Sequence, residues 1–241
     1  MRRYSTEVSG VDDGVGEVMA TLKRLGLDEN TLVVFAADQG LAGGHNGVWG
    51  MADHGRPLHT FDSALHIPLI WRQPKRIPAG GTSDILLSNY DFMPTLLSYL
   101  GLADRMAKSP ESPGRDYSPV LRGDKVPWNN EVFYEYENSR MIRTDRWKLT
   151  LRFPNGPDGL YDLASDPGEK NNLIGKPEQA AGQRQLEQRL ESFFKRHADP
   201  KYDLWHGGIS KAPLVVMESR GDRHPDKPPL TSSPTKTAEQ R

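Results

Sequence analysis

The sequence predicts an α/β fold built in two parts, residues 1–125 and 126–200, followed by a largely disordered tail over 201–241. Three observations predict it. Apolar residues at three- and four-residue spacing run from Tyr4 to Gly26 and lead through a short turn into the continuous apolar run 31–37, the pattern of a helix feeding a strand buried on both faces. From Glu131 the pattern changes to short runs rich in β-branched and aromatic residues, 132–136, 141–144 and 147–153, separated by polar turns, as in an antiparallel meander. A last amphipathic stretch, 178–197, supplies a helix to close over that small sheet.

In the first helix Val8, Val11, Val15, Val18, Met19, Leu22 and Leu25 share one face, and Gly26 is placed to end it. Asp12 and Asp13 are adjacent, so they point about 100° apart on a helix and read as surface or capping residues, not as ligands of one ion. With the strand that follows, this helix makes half of a βαβ unit. The strand stops at Asp38-Gln39-Gly40, and two readings fit. One is a strand-ending Asp-x-Gly turn; the other is a carboxylate and an amide carbonyl offered as hard oxygen donors to Ca²⁺ or Mg²⁺, at the end of a parallel strand where open α/β sheets bind ligands. A glycine-rich loop with His45, His54, Arg56 and His59 comes next. Residues 66–71 and 85–87 read as two further strands, and Asn89 or Asp91 caps a helix through Tyr99 that carries Pro94 in its first turn and ends at Gly101. In the second part, Arg140, Arg143 and Lys148 are expected on a solvated strand face. Leu160 and Leu163 are packing residues, Asp166-Pro167 starts a turn, and Leu186, Leu190, Phe193 and Phe194 line the closing helix. Beyond Pro200, Trp205 and 214–217 are candidates to dock, while 220–241 is polar and proline-rich.

Several strings occur in a telling order: Tyr4, Val8-Ser9, Asp12-Asp13 and Val15-Gly16; Asp38-Gln39-Gly40; His45 and Gly47 with Val48-Trp49-Gly50; Phe61-Asp62; and Ile67-Pro68-Leu69-Ile70. They continue with Asp91, Pro94-Thr95-Leu96-Leu97 and Gly101-Leu102; Gly114-Arg115-Asp116; and Leu160-Tyr161-Asp162-Leu163 with Asp166-Pro167 and Asn171-Asn172-Leu173. The ordered set resembles the sulfatases, the formylglycine-dependent branch of the alkaline phosphatase superfamily. The resemblance implies the C-terminal part of an alkaline-phosphatase-like sheet domain in 1–125, and in 126–200 a small α+β subdomain with an antiparallel sheet and a closing helix. It also implies that the chain begins midway along the catalytic domain, as the C-terminal half of an enzyme that hydrolyses sulfate esters of a small molecule or glycan with a divalent metal, usually Ca²⁺.

In that family Asp38 and Gln39 would be metal ligands. Two departures stand beside them. Met51 occupies the place of a lysine that grips a sulfate oxygen, and a thioether cannot neutralise an anion; Asn46 occupies the place of a histidine, with His45 one residue earlier. His54, Arg56 and His59 are the candidates to supply the missing positive charge, and His45, His54 and Arg56 are the candidates to meet the sulfate. The formylglycine nucleophile arises from Cys/Ser-x-Pro-x-Arg, and the nearest string, Glu111-Ser112-Pro113-Gly114-Arg115, has Glu in the nucleophile's place, so the formylglycine would lie upstream. A phosphonate or phosphate ester hydrolase of the same superfamily and a catalytically inactive interaction module are the alternative readings.

Composition narrows the partners. A net charge of −1 with acids and bases interspersed gives no footprint for nucleic acid or an anionic membrane surface. No run approaches the roughly 18 apolar residues of a membrane span, and Met1-Arg2-Arg3-Tyr4 is not followed by the apolar core of an export signal. Sulfatases are often periplasmic, secreted or lysosomal, but with no cysteine to report a redox compartment the sequence leaves localisation and oligomeric state open.

Overall fold

The computed structural model describes residues 2–52, 57–106 and 112–209. The chain forms two compact units, one from residues 1–52 and 61–130 and the other from 53–60 and 131–241.

In the first unit, helix α1 (Arg2–Arg24) ends as its sequence predicts. Gly26 adopts φ 69°, Leu27 N–H reaches Leu22 O at 2.9 Å and Gly26 N–H reaches Lys23 O at 3.1 Å, the paired bonds of a Schellman cap. Asp12 and Asp13 lie exposed. The apolar stripe faces solvent too, with Val8, Val11 and Val18 about half exposed. Strand β1 (Val33–Ala36) follows. It is half-buried, not buried on both faces, and it forms an antiparallel pair with β4 (Leu69–Arg72) in the register Val33↔Arg72 to Ala36↔Leu69. This departs from the expected βαβ geometry. The chain between the two strands returns through a short hairpin, β2 (Ala42–Gly43) and β3 (Trp49–Gly50), and helix α2 (Asp62–Leu65), without the long helical crossover that parallel neighbours require. Arg72 and Asp28 form an ion pair at 2.9 Å that fastens the end of β4 to the turn before β1.

Trp71 of β4 meets Phe92, Tyr99 and Tyr117 at ring separations of 5.2, 6.3 and 6.0 Å, so helices α3 (Phe92–Tyr99) and α4 (Ser118–Leu121) are seated by aromatic packing. Residues 85–87 form no strand. Leu86 N–H donates to Asn130 Oδ1, and Leu86 O accepts from Arg115 and Trp128, so side chains replace the ladder that an apolar triplet suggests.

The second unit is the predicted meander, strands β5 (Glu131–Tyr136), β6 (Ser139–Thr144), β7 (Trp147–Arg152) and β8 (Gly159–Asp162) in sequential antiparallel order. Helix α5 (Ala180–His197) closes over it, and Ile142, Leu149 and Leu160 of the sheet meet Leu186, Leu190 and Phe194 of the helix. Phe133 stacks on Phe193 at 3.8 Å.

The basic residues of this sheet correct the expectation of a solvated face. Lys148 is wholly buried, 2.7 Å from Glu169 Oε1, and donates to Thr60 O at 2.9 Å. Arg140 is 2% exposed; it pairs with Asp203 at 3.0 Å and Glu135 at 2.8 Å, and its guanidinium lies between the rings of Phe194 and Trp205 at 4.0 and 4.2 Å. Only Arg143 stays half exposed. Apart from Glu135, which faces Arg140 across the neighbouring strand, the partners come from residues far along the chain, which period-two alternation alone cannot supply.

Asp203 also anchors the turn 204–206. His206 Nδ1 lies 2.8 Å from Asp203 Oδ2 and its Nε2 lies 2.9 Å from Glu191 Oε1. Only an imidazolium donates through both nitrogens. The Asp203 hydrogen bond, with Asp203 and Glu191 as negative neighbours, raises the His206 pKa above the ordinary 6.5. Burial pushes Asp203 up, but the His206 hydrogen bond and Arg140 outweigh it and hold its carboxyl below the ordinary range. The His206 contribution is complete below about pH 6.5 and is lost as pH rises through the raised value. The Asp203 contribution is present above about pH 3.8 and is lost as pH falls through the depressed one. We expect amide exchange protection across 199–208 to be greatest between about pH 4 and 6.5, and the alkaline loss to vanish in His206→Gln. The tail expected from 201 is therefore ordered through 209, while the docking run 214–217 and the polar end 220–241 lie outside the described residues. No helix of the described residues is long and apolar enough to cross a membrane.

Candidate active-site segment

The segment between β1 and α2 is shaped by its glycines. Gly40 N–H donates to Ala64 O at 2.9 Å, and a Cβ at Gly40 would lie 2.9 Å from the Ala64 carbonyl carbon, so α2 can approach only because residue 40 has no side chain. The hairpin then turns through Gly44 at φ 95° and Asn46 at φ 54°, the latter a residue type that tolerates the left-handed region. Gly44 N–H to Val48 O at 2.9 Å closes the tip.

Asp38 and Gln39 sit at the foot of this hairpin with both side chains exposed. Asp38 Oδ1 accepts the Gln39 N–H at 2.9 Å, and its backbone carbonyl accepts Asn89 Nδ2 at 3.2 Å, so Asn89 steadies the loop from the turn before α3. Gln39 Nε2 donates to Met51 Sδ, which leaves the Gln39 carbonyl oxygen as the free end of the amide. Sequence reasoning saw Met51 only as a lost cation and Asn89 only as a helix cap. Their contacts cross 12 and 51 residues, and no spacing signal marks them. His45 is exposed in the 3₁₀ turn His45–Gly47 at the hairpin tip, while His54 and Arg56 lie outside the described residues.

The donor chemistry suits a hard cation, because a carboxylate and an amide carbonyl are what calcium or magnesium takes. Two side-chain oxygens are far short of the roughly six to eight that calcium coordinates, and no cluster of three or more His, Asp or Glu suited to a metal occurs among the described residues. Asp38 and Gln39 therefore fit as part of a shell, the rest of which needs other donors.

Residues 47–196 match the family model described as N-sulphoglucosamine sulphohydrolase, C-terminal. The chain is 33% identical to an N-acetylglucosamine-6-O-sulfatase of Bacteroides thetaiotaomicron over 91% of its own length and 40% of the relative's. It is 28% identical to an endo-4-O-sulfatase of the same organism, over 84% of this chain and 42% of that one. Among solved structures, one in complex with its substrate D-glucosamine-2-N,6-O-disulfate superposes with a TM-score of 0.68 at 31% identity, covering 80% of this chain and 40% of that one. A phosphonate monoester hydrolase from Silicibacter pomeroyi gives a TM-score of 0.68 at 26% identity over the same shares. The chain thus spans about two fifths of the length of the relatives it matches. These solved structures share the alkaline-phosphatase-like α/β architecture, and the chain belongs to the sulfatase family, whose C-terminal region its residues 47–196 match.

Proposed function

We propose that this chain supplies the C-terminal part of a metal-dependent sulfuric ester hydrolase acting on a sulfated sugar, with Asp38 and Gln39 giving oxygens to a divalent cation, Ca²⁺ by preference. The match over 47–196, adjoining the exposed Asp38-Gln39 pair, carries this reading. Such a cation, when bound, neutralises charge on the sulfuryl oxygens. The chain's own residues hold and orient: the Asp38 carboxylate brings the negative charge, and Met51 and Asn89 fix the amide and the backbone beside it, with His45, His54 and Arg56 as the sequence's candidate donors to the sulfate. The likeness to a phosphonate monoester hydrolase supports a second reading, hydrolysis of a phosphonate ester at the same place.

The test uses the natural polypeptide at full length. Calcium titration calorimetry should give a Kd that Asp38→Asn weakens by about 100-fold, since site affinity follows ligand charge. Sulfate should be released from glucosamine 6-sulfate faster than alcohol from a phosphonate monoester. An unchanged calcium Kd in Asp38→Asn removes the metal assignment. Preference for the phosphonate ester selects the second reading, and cleavage of neither ester leaves an inactive interaction module.

A further inference from the structure

We propose that Trp49 is the platform on which the sugar ring of a sulfated substrate stacks, beside the oxygens of Asp38 and Gln39; this deepens the sulfatase reading and rests on it. Tryptophan is usually well covered in folded proteins, yet Trp49 is 60% exposed. The other four tryptophans are half-buried and engaged: Trp71 sits in the aromatic cluster of its unit, and Trp128, Trp147 and Trp205 each lie under an arginine. The Trp49 side chain has no ring, cation or hydrogen-bond partner among the described residues.

Its ring is supported by a glycine. A Cβ at Gly44 would lie 2.9 Å from Trp49 Cζ2 and 3.1 Å from Cε2, so the indole rests directly on the Gly44 backbone, paired across the hairpin by Gly43↔Trp49. That seat restrains the ring before any ligand arrives, which lowers the ordering cost of binding. The backbone of Trp49 also lies close along the chain to the candidate site. Met51, whose sulfur accepts from Gln39 Nε2, is two peptide links from Trp49, which places their Cα atoms within about 7 Å.

The chemistry selects the ligand. A pyranose presents a face of C–H bonds, apolar and slightly positive, while its hydroxyls and sulfate project from the edge. An indole face is apolar and carries the negative side of its quadrupole, so the two faces attract and leave the sulfate at the rim of the stack. An acyclic alkyl sulfate has no such face.

The test compares wild type, W49A and W49F as full-length polypeptides on glucosamine 6-sulfate and on hexyl sulfate. W49A should raise KM for the sugar sulfate about 10-fold or more with kcat changed less than about 2-fold, because the stack is kept from ground state to transition state. W49F, which keeps an aromatic face, should stay within about 3-fold of wild type, and KM for hexyl sulfate should not move in either variant. A fluorescence titration with glucosamine 6-sulfate should change the tryptophan emission of wild type and not that of W49F. An unchanged sugar KM in W49A, or an equal rise for hexyl sulfate, overturns the stacking role while leaving the hydrolase reading intact. Failure of wild type to cleave either ester removes both.

Discussion

Replacing Lys148 by methionine is expected to destabilise the second unit by about 3–5 kcal/mol, the cost of breaking a buried ion pair from one side. Lys148 is 0% exposed and Glu169 only 3%, with 2.7 Å between Nζ and Oε1, so the substitution strands a carboxylate away from water. The same ammonium donates to Thr60 O, and Thr60 Oγ1 meets Thr150 Oγ1 at 2.5 Å, so the segment 57–60 loses part of its fastening to the sheet as well. Glu169 sits at φ 53°, a conformation that costs energy for a side-chain-bearing residue and that the pair helps to hold. Adding Glu169→Gln to Lys148→Met removes the stranded charge, and the double variant should recover about half of the loss in urea midpoint despite containing one more substitution. A cost below about 1 kcal/mol for the single variant would mean that water reaches Glu169 and that the pair is a surface contact.

The contrast between what the sequence revealed and what it hid follows from the range of the interactions. The meander and α5 were legible because their signals are local: Leu160 and Leu163 are 1% and 8% exposed as packing residues should be, and Leu186, Leu190 and Phe194 fall on the buried face of α5. Asp166 acts as a turn residue through its own side chain, which accepts the Lys170 and Asn171 N–H groups. The basic residues of the sheet were hidden because Arg140 meets Asp203 across 63 residues and Lys148 meets Thr60 across 88. The direction of β1 against β4 was hidden for a related reason: a buried apolar run looks alike whether its neighbour is parallel or antiparallel, and only the route between the strands decides. In the candidate site residue type and position left Asp38 and Gln39 open between a turn and a metal pair, and the resemblance made them candidates. The contacts that orient them, from Asn89 and Met51, exist only once the hairpin has closed and the turn before α3 has arrived.

That turn gives the second large effect. Asp91 is fully buried, and its carboxylate accepts from Arg115 N at 2.8 Å, Ser88 N at 3.0 Å and Arg115 Nη2 at 3.1 Å. Arg115 extends the network to Leu86 O at 3.1 Å and Asn129 O at 2.8 Å, and lies over Trp128 at 4.3 Å. Its position depends on Gly114, where a Cβ would come 2.3 Å from Tyr90 O. Asp91→Ala leaves two backbone N–H groups and a guanidinium without their acceptor, and we expect a loss of about 3–5 kcal/mol, seen as a fall in Tm of roughly 10 °C. Asp91→Asn keeps an acceptor oxygen and should lose about half as much. Arg115→Lys should not be a mild change, because an ammonium cannot reproduce the fork that reaches Asp91, Leu86 and Asn129 together. The turn that holds Asp91 also holds Asn89, which donates to Asp38 O. Loosening it should therefore weaken the proposed calcium binding at Asp38 and Gln39, by about 3- to 10-fold for Asp91→Asn at a temperature where the variant is still folded. Calorimetric titration of that variant separates the two effects: a lowered Tm with an unchanged calcium Kd would confine Asp91 to stability and detach the turn from the site.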